Sequence, residues 1–254
     1  MKYRVLACLF LLAGCGATPD GGQSEGVEKT TAAVANKDFD VEFDGCVVFA
    51  GIGLVPTAKA RALVPAEYTL AGDAEHARIV VRVARCSGSV VDGKNTGPMI
   101  VSHIGIGLIG PDTTTSINNY TLWYATDNAR LHAKLTALGV NADKTNSLSL
   151  TLNAGTLSVL SSSPHTPSFQ VLGTAVPPTA APIPTTGTWW DDGCHGTVRS
   201  RTPIPAIQFG TAHTVLTTPA GSPLAALIGG TSFTFSVLDS YNTFPTSPMQ
   251  VSAQ

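Results

Sequence analysis

The sequence predicts a mainly β protein, a β-rich α+β fold in which an antiparallel sheet carries two or three short helices. Short strand-like runs recur along almost the whole chain after residue 39, separated by turns rich in Gly, Pro, Asn and Asp. Helix start and stop signals are few and sharply placed. Such a pattern closes either as a barrel or as a sandwich.

In chain order, Asp40-Val41-Glu42-Phe43-Asp44 alternates strictly, which puts three carboxylates on one face of a strand and two apolar side chains on the other. Residues 57–63, bounded by Pro56 and Pro65, form a short helix. The run 77–86 places Arg78 and Arg82 on one face and Ile79, Val81, Val83 and Arg85 on the opposite, apolar one. Strands follow at 99–109 and 117–126; in the second, Tyr120, Leu122 and Tyr124 share a face by period two and Trp123 takes the other. Asp127 is placed to cap a helix whose Leu131, Leu135 and Leu138 fall at i, i+4 and i+7, with Gly139 in the left-handed closing position. Further strands are read at 147–152, 156–161, 168–173, 188–190, 197–201, 207–217 and 232–238, and 177–187 is read as a long Pro- and Thr-rich surface loop. Ser222-Pro223 opens a helix through Ile228 that Gly229 ends.

Residues 39–254 suit one sizeable core and one domain. A net charge of -2 with 13% charged residues leaves no basic footprint for nucleic acid. No Glu occurs after Glu75, which thins the supply of acid and base carboxylates. Cys46 and Cys86 lie on or at the end of neighbouring strand-like runs and are expected to pair, closing a loop of about 40 residues, which leaves Cys194 as a buried small hydrophobe.

At the N-terminus, Lys2 and Arg4 precede an apolar run from Val5 to Ala13 that ends in Leu12-Ala13-Gly14-Cys15. The run is shorter than the roughly 20 residues that cross a bilayer, so it reads as an export signal. It resembles the signal of bacterial lipoproteins, and the resemblance implies a lipid on Cys15 as the mature N-terminus. Residues 1–15 are then the signal segment and 16–38 a flexible tether with little to bury. The implied location is the bacterial cell envelope, exported and lipid-anchored; Gly16 after the Cys favours the outer membrane.

Familiar site signatures fail on inspection. Gly105-Ile106-Gly107-Leu108-Ile109-Gly110 spells a dinucleotide loop, but Pro111-Asp112-Thr113-Thr114 cannot open the required helix. Glycines 105 and 107 instead strip one strand face beside His103, for close packing or a ligand. Asp191, Asp192, Cys194 and His195 are too crowded to converge on one ion and read as a hairpin turn, so no metal is expected. No cofactor motif and no catalytic set is identified. The candidate ligand-facing residues are Arg85, which if inward is an anion-binding charge in an apolar pocket, His103, and the aromatic pair Tyr120 and Tyr124.

The short helix ending Leu63-Val64-Pro65, the strand 77–86, and Tyr120-Thr121-Leu122-Trp123-Tyr124 running into Asp127 and the helix closed by Gly139 together resemble the acetoacetate decarboxylase-like superfamily, over about residues 45–241. The resemblance implies a closed, cone-like antiparallel β-barrel around an apolar cavity. Decarboxylating members place a Schiff-base Lys in Gly-x-Pro-Lys after that helix, whereas this chain has Gly139-Val140-Asn141-Ala142-Asp143-Lys144, without the Pro. Lys144 beside Asp143 is expected in a solvated loop.

The expected function is therefore a lipid-anchored, exported barrel that binds a small apolar or carbonyl-containing molecule and is not a Schiff-base decarboxylase. A lyase-type enzyme of the same superfamily and a structural surface lipoprotein are the alternatives. An apolar cavity without charge argues binding, a buried Arg, Lys or His with a partner argues an enzyme, and a filled barrel argues structure. The membrane, through the lipid, is the other expected partner; the oligomeric state is left open.

Overall fold

The structure is a computed structural model and describes residues 38–111, 117–193 and 196–254. Cys15, the signal and almost all of the tether lie outside them, as do Cys194 and His195. The elements run β1 Phe39–Pro56, α1 Thr57–Arg61, β2 His76–Val91, β3 Lys94–Asn95, β4 Met99–Leu108, β5 Ile117–Thr126, α2 Ala129–Ala137, β6 Ala142–Lys144, β7 Ser147–Asn153, β8 Thr156–Ser162, β9 Phe169–Val176, β10 Ile183–Gly193, β11 Gly196–Phe209, β12 Thr211–Thr217, α3 Pro223–Ile228, β13 Ser232–Thr234 and β14 Leu238–Ala253.

Seven strands close on themselves in the order β1-β14-β11-β10-β5-β4-β2 and back to β1, forming a barrel. Every seam of the ring is antiparallel but one: β10 runs parallel to β5, with Gly187 to Trp190 opposite Ile117 to Tyr120. The expected all-antiparallel order fails there because α2 and the second sheet intervene, and a crossover of that length returns the chain in the same direction. That second sheet, β13-β12-β9-β8-β7, lies against the outside of the barrel. Its Leu150, Leu157, Val159, Val171 and Leu216 pack with Phe49, Ile79, Val81, Val83, Ile104 and Ile106 from the outward faces of β1, β2 and β4.

Inside the barrel, one half is solid. Val41, Phe43, Val48, Met99, Val101, Tyr124, Phe244 and Val251 fill it, and α2 closes it with Leu131, Leu135 and Leu138. The helix caps itself with Asn128, whose side chain accepts from the backbone N–H groups of Arg130 and Leu131. Asp127, the expected cap, instead accepts from the Ile100 N–H at 2.8 Å and ties the helix start to β4. Gly139 (φ +88°) and Gly229 (φ +81°) end α2 and precede the turn after α3 in left-handed conformations, as the sequence predicts.

On β1, Asp40, Glu42 and Asp44 face solvent while Val41 and Phe43 face the core. Gly45, at φ +54°, then swaps the faces, so that Cys46 and Val48 point inward. Cys46 lies directly opposite Cys86 on β2, and the two form a disulfide, as expected. Two strand assignments need correction. Residues 238–253, with Pro245 and Pro248, form β14, a full barrel stave that no alternation revealed, and half of the expected surface loop 177–187 belongs to β10.

The disulfide closes a loop of 40 residues, which the chain-entropy model values at about 4 kcal/mol. Replacing both cysteines by serine should lower the unfolding free energy by an amount of that order and steepen its dependence on denaturant, because the unfolded chain without the cross-link exposes more surface; an unchanged unfolding free energy would contradict this.

Candidate active site: the hollow half of the barrel

The other half of the barrel is hollow. A cavity of about 110 Å³ is lined by inward residues of β1 (Val48, Ala50, Ile52), β2 (Val80, Arg82), β5 (Ile117, Asn119), β10 (Thr185, Gly187, Trp189), β11 and β14. A seven-stranded barrel is narrow enough for ordinary side chains to fill. Space remains beside two small positions, Ala50 and Gly187: at Gly187 an added Cβ would meet nothing within 4 Å.

Between the solid and hollow halves lies a layer of aromatic and cationic groups. The His103 ring is stacked on Trp189, with centroids 4.4 Å apart, and Tyr124 meets it edge-on at 4.2 Å. Gly105 serves packing: a Cβ there would strike the Trp189 ring at 2.7 Å and the Tyr120 carbonyl at 2.3 Å. Arg82 Nη1 lies 3.4 Å from His103 Nδ1, which must accept. Burial, and then the Arg82 charge, hold the His103 pKa well below its ordinary value, so the ring is neutral. Arg82 itself is half-buried, and its partial desolvation pulls its pKa down. Among the described residues no carboxylate pairs with it. What surface it keeps faces the cavity.

Two buried amides complete the polar wall. Asn119 is 3% exposed and Asn242 2% exposed, and the side-chain oxygen of each lacks a hydrogen-bond partner among the described residues. The remaining lining is chiefly aliphatic and aromatic, including Ile204, Ile207, Phe209, Leu238 and Phe244.

Of the expected ligand-facing residues, only His103 and Tyr124 come together, and they stand behind the cavity wall. Arg85 is exposed on the outer face of the barrel, and the inward arginine is Arg82. The period-two reading of β2 was right, but the second sheet covers the face read as the interior. Tyr120 and Tyr124 lie on opposite faces, because a bulge at Leu122 shifts the β4–β5 register between Ile104 and Gly105. Tyr120 points outward, packs on Tyr68 and donates to Asp192 Oδ2 at 3.1 Å. Lys144 is exposed at the end of β6, a strand rather than the expected loop. Asn119, Trp189 and Asn242 escaped sequence reading; Arg82 left a signal, a charge centred in the apolar run Ile79-Val80-Val81-Arg82-Val83-Ala84.

A shallower cleft of about 270 Å³ opens where β10 parts from β5 and β6 takes its place, lined by Thr121, Leu122, Trp123, Asn141, Asp191 and Asp192. Burial, reinforced by the neighbouring Asp192 charge, pushes the Asp191 pKa up to about 7. Gly193 opposite Gly196 confirms a hairpin here, although the turn residues themselves are outside the described set. Among the described residues no cluster of three metal-ligating side chains occurs.

No family model matches the sequence, and no curated protein matches it. The solved structures do. An acetoacetate decarboxylase superposes with a TM-score of 0.58 at 12% identity, covering 88% of this chain and 92% of its own. The chain has the acetoacetate decarboxylase fold. The acetoacetate decarboxylase of Legionella pneumophila gives 0.56 at 14% identity over 92% and 96% of the two chains, and an acetoacetate decarboxylase-like enzyme from Sphingomonas wittichii gives 0.52 at 9% over 87% and 92%. At these identities the fold is shared, and the closed barrel implied by the sequence resemblance is present.

Two buried groups set opposing pH dependences. His103 stays neutral when folded but binds a proton near pH 6.5 when unfolded, so it lowers stability as the pH falls below about 6.5. Asp191 keeps its proton to about pH 7 when folded and loses it near 3.8 when unfolded, so it lowers stability as the pH rises between those values. The slopes partly cancel from about pH 4 to 6.5. Thermal melts across this range should therefore diverge: His103→Phe should lose stability with rising pH relative to the parent, and Asp191→Asn should gain it. Parallel profiles for parent and variants would refute the assignment.

Proposed function

We propose that this chain is a small-molecule binding barrel whose hollow half holds a short, largely apolar molecule by a carboxylate set on Arg82. The observation that carries this reading is the Arg82 guanidinium, half-buried in the wall of an apolar cavity with no carboxylate partner among the described residues. An unpaired, partly desolvated charge is costly, and a ligand of opposite sign removes the cost. The guanidinium fork matches a carboxylate in two parallel hydrogen bonds. A cavity of about 110 Å³ limits the ligand to a short carbon chain bearing its carboxylate.

The wall, as described, holds a guanidinium, amides and hydroxyls but no amine, imidazole, thiol or carboxylate that could form a covalent adduct or move a proton. Binding is favoured over Schiff-base chemistry for that reason. The lyase-type reading draws on one observation, the contact of Arg82 with neutral His103. Its difficulty is that Trp189 and Arg82, not His103, form the wall there. A purely structural role expects a filled barrel, and the cavity counts against it.

Calorimetry on the full-length chain should show binding of short monocarboxylates and at least tenfold weaker binding of their neutral amides. Arg82→Met should abolish binding yet leave the ligand-free protein as stable or about 1–3 kcal/mol more so, because it removes an unpaired, half-buried charge. Equal affinity for acid and amide would end this reading, and a borohydride-trapped keto-acid adduct on any lysine would replace it with the decarboxylase reading.

The cellular setting belongs to the same proposal. The box Leu12-Ala13-Gly14-Cys15 and the apolar run before it support export and a lipid on Cys15, with residues 16–38 as the tether to the outer membrane. Cys15→Ala should move the protein from the membrane to the soluble fraction, and intact mass should show an acylated Cys15 at the mature N-terminus. An unmodified Cys15 would overturn the anchor.

A further inference from the structure

The polar wall of the cavity also bears on which carboxylate fits, an inference that rests on the Arg82 reading above. Asn242 is oriented by a relay. Its Nδ2 donates to Ser240 Oγ at 3.1 Å, and Ser240 Oγ donates to the Ala50 carbonyl at 3.1 Å. A serine hydroxyl has one hydrogen, and here the Ala50 carbonyl takes it, so Ser240 can only accept from Asn242. The nitrogen end of the amide is thereby fixed, and Oδ1, buried and without a partner among the described residues, is the atom left over on a residue that lines the cavity. Asn119 has no such relay, so it can turn either end of its amide to a ligand and does not discriminate.

A buried amide oxygen calls for a donor, and leaving it unmet forfeits the hydrogen bond that water gave it. Neither a carboxylate nor a ketone has a proton to give. An ammonium has, but its charge would be buried beside Arg82 in a wall that, as described, contains no carboxylate. A hydroxyl remains. Its position follows from the strand register: Arg82 is opposite Ala50, Ala50 is opposite Ser240, and Asn242 lies two residues further along the same strand. The two Cα positions are therefore about 10 Å apart across two strand spacings and offset by about 7 Å along the strand. Arg82 and Asn242 line the same cavity from these two positions, and a short carbon chain within it can join the two groups.

We propose that the cavity selects short hydroxy carboxylates, with the carboxylate on Arg82 and the hydroxyl donating to Asn242 Oδ1. The keto and deoxy acids of the same length satisfy the cation but leave the amide oxygen unmet. Gly187, whose added Cβ would enter open space, supplies a control that blocks the cavity without a clash in the fold.

The test is calorimetry on the full-length chain with 2-hydroxybutyrate, 3-hydroxybutyrate, butyrate and acetoacetate. One hydroxy acid should bind about tenfold more tightly than butyrate and acetoacetate. Asn242→Leu should remove that preference, so that hydroxy acid and butyrate bind with equal affinity. Ser240→Ala, which frees the amide to turn, should shrink the gap between hydroxy and keto acid, and Gly187→Leu should abolish all binding. Butyrate or acetoacetate binding as tightly as both hydroxy acids overturns this inference and leaves the Arg82 reading standing; no binding of any acid overturns both. The comparison of ligands on the unmodified protein decides the matter even where a variant fails to fold.

Discussion

The pairing of β1 along both of its edges is the constraint on which the interior depends. One edge runs antiparallel to β14 from Phe39 opposite Val251 to Ile52 opposite Leu238, and the other to β2 from Val41 opposite Val91 to Pro56 opposite His76. A strand hydrogen-bonded on both sides leaves no open edge, so the sheet closes and acquires an inside. The Cys46–Cys86 bridge joins β1 to β2 within the solid half, where Gly45 has just swapped the faces. Side chains after the swap project into the hollow half in a register that the first half of the strand could not have supplied. Arg82, opposite Ala50, stands where it does for that reason.

Closure alone would give a filled barrel. Two further features divide it. Helix α2 drives Leu131, Leu135 and Leu138 into one end, and the stack of Trp189, His103 and Tyr124 forms a floor across the middle. Above the floor the chain puts Ala50 and Gly187 where larger residues would meet, and packing stops. The floor is also what holds Arg82. Among the described residues its side chain bonds to a histidine that burial keeps neutral, so the guanidinium is positioned without being neutralised.

Much of the fold was legible because local chemistry and global role agree. Asp40 to Asp44 keeps its alternation since only one face of that stretch is covered, and the glycines after α2 and α3 do what left-handed caps do. The site was less legible. On β2 the second sheet buries the outward face as well, so Ile79, Val81 and Val83 mark a core that is not the barrel interior, and Arg85 at the end of that face reaches solvent and leaves the anion-binding alternative to Arg82. At Leu122 a single extra residue reversed the facing of Tyr120 relative to Tyr124, and bulges leave no composition signal there. Asn242 was out of reach because β14 pairs by backbone on both edges and needs little alternation or β propensity of its own to be held in place.

The interior polar groups are best understood by what they do to stability in the absence of a ligand. A half-buried cation without a carboxylate and two amide oxygens without donors, among the described residues, are each unfavourable, and the apolar residues around them gain nothing from their presence. A barrel selected for stability alone would replace them with aliphatic side chains of similar volume. They persist in a fold whose closure, disulfide and second sheet supply enough stabilisation elsewhere to carry them. A molecule that satisfies the cation and an amide at once recovers those losses only in the folded state, so its binding and the stability of the barrel are coupled. On the proposed reading, the same groups that weaken the empty protein would give the occupied one its selectivity, since a ligand lacking either the charge or the donor would recover only part of what the cavity has forgone.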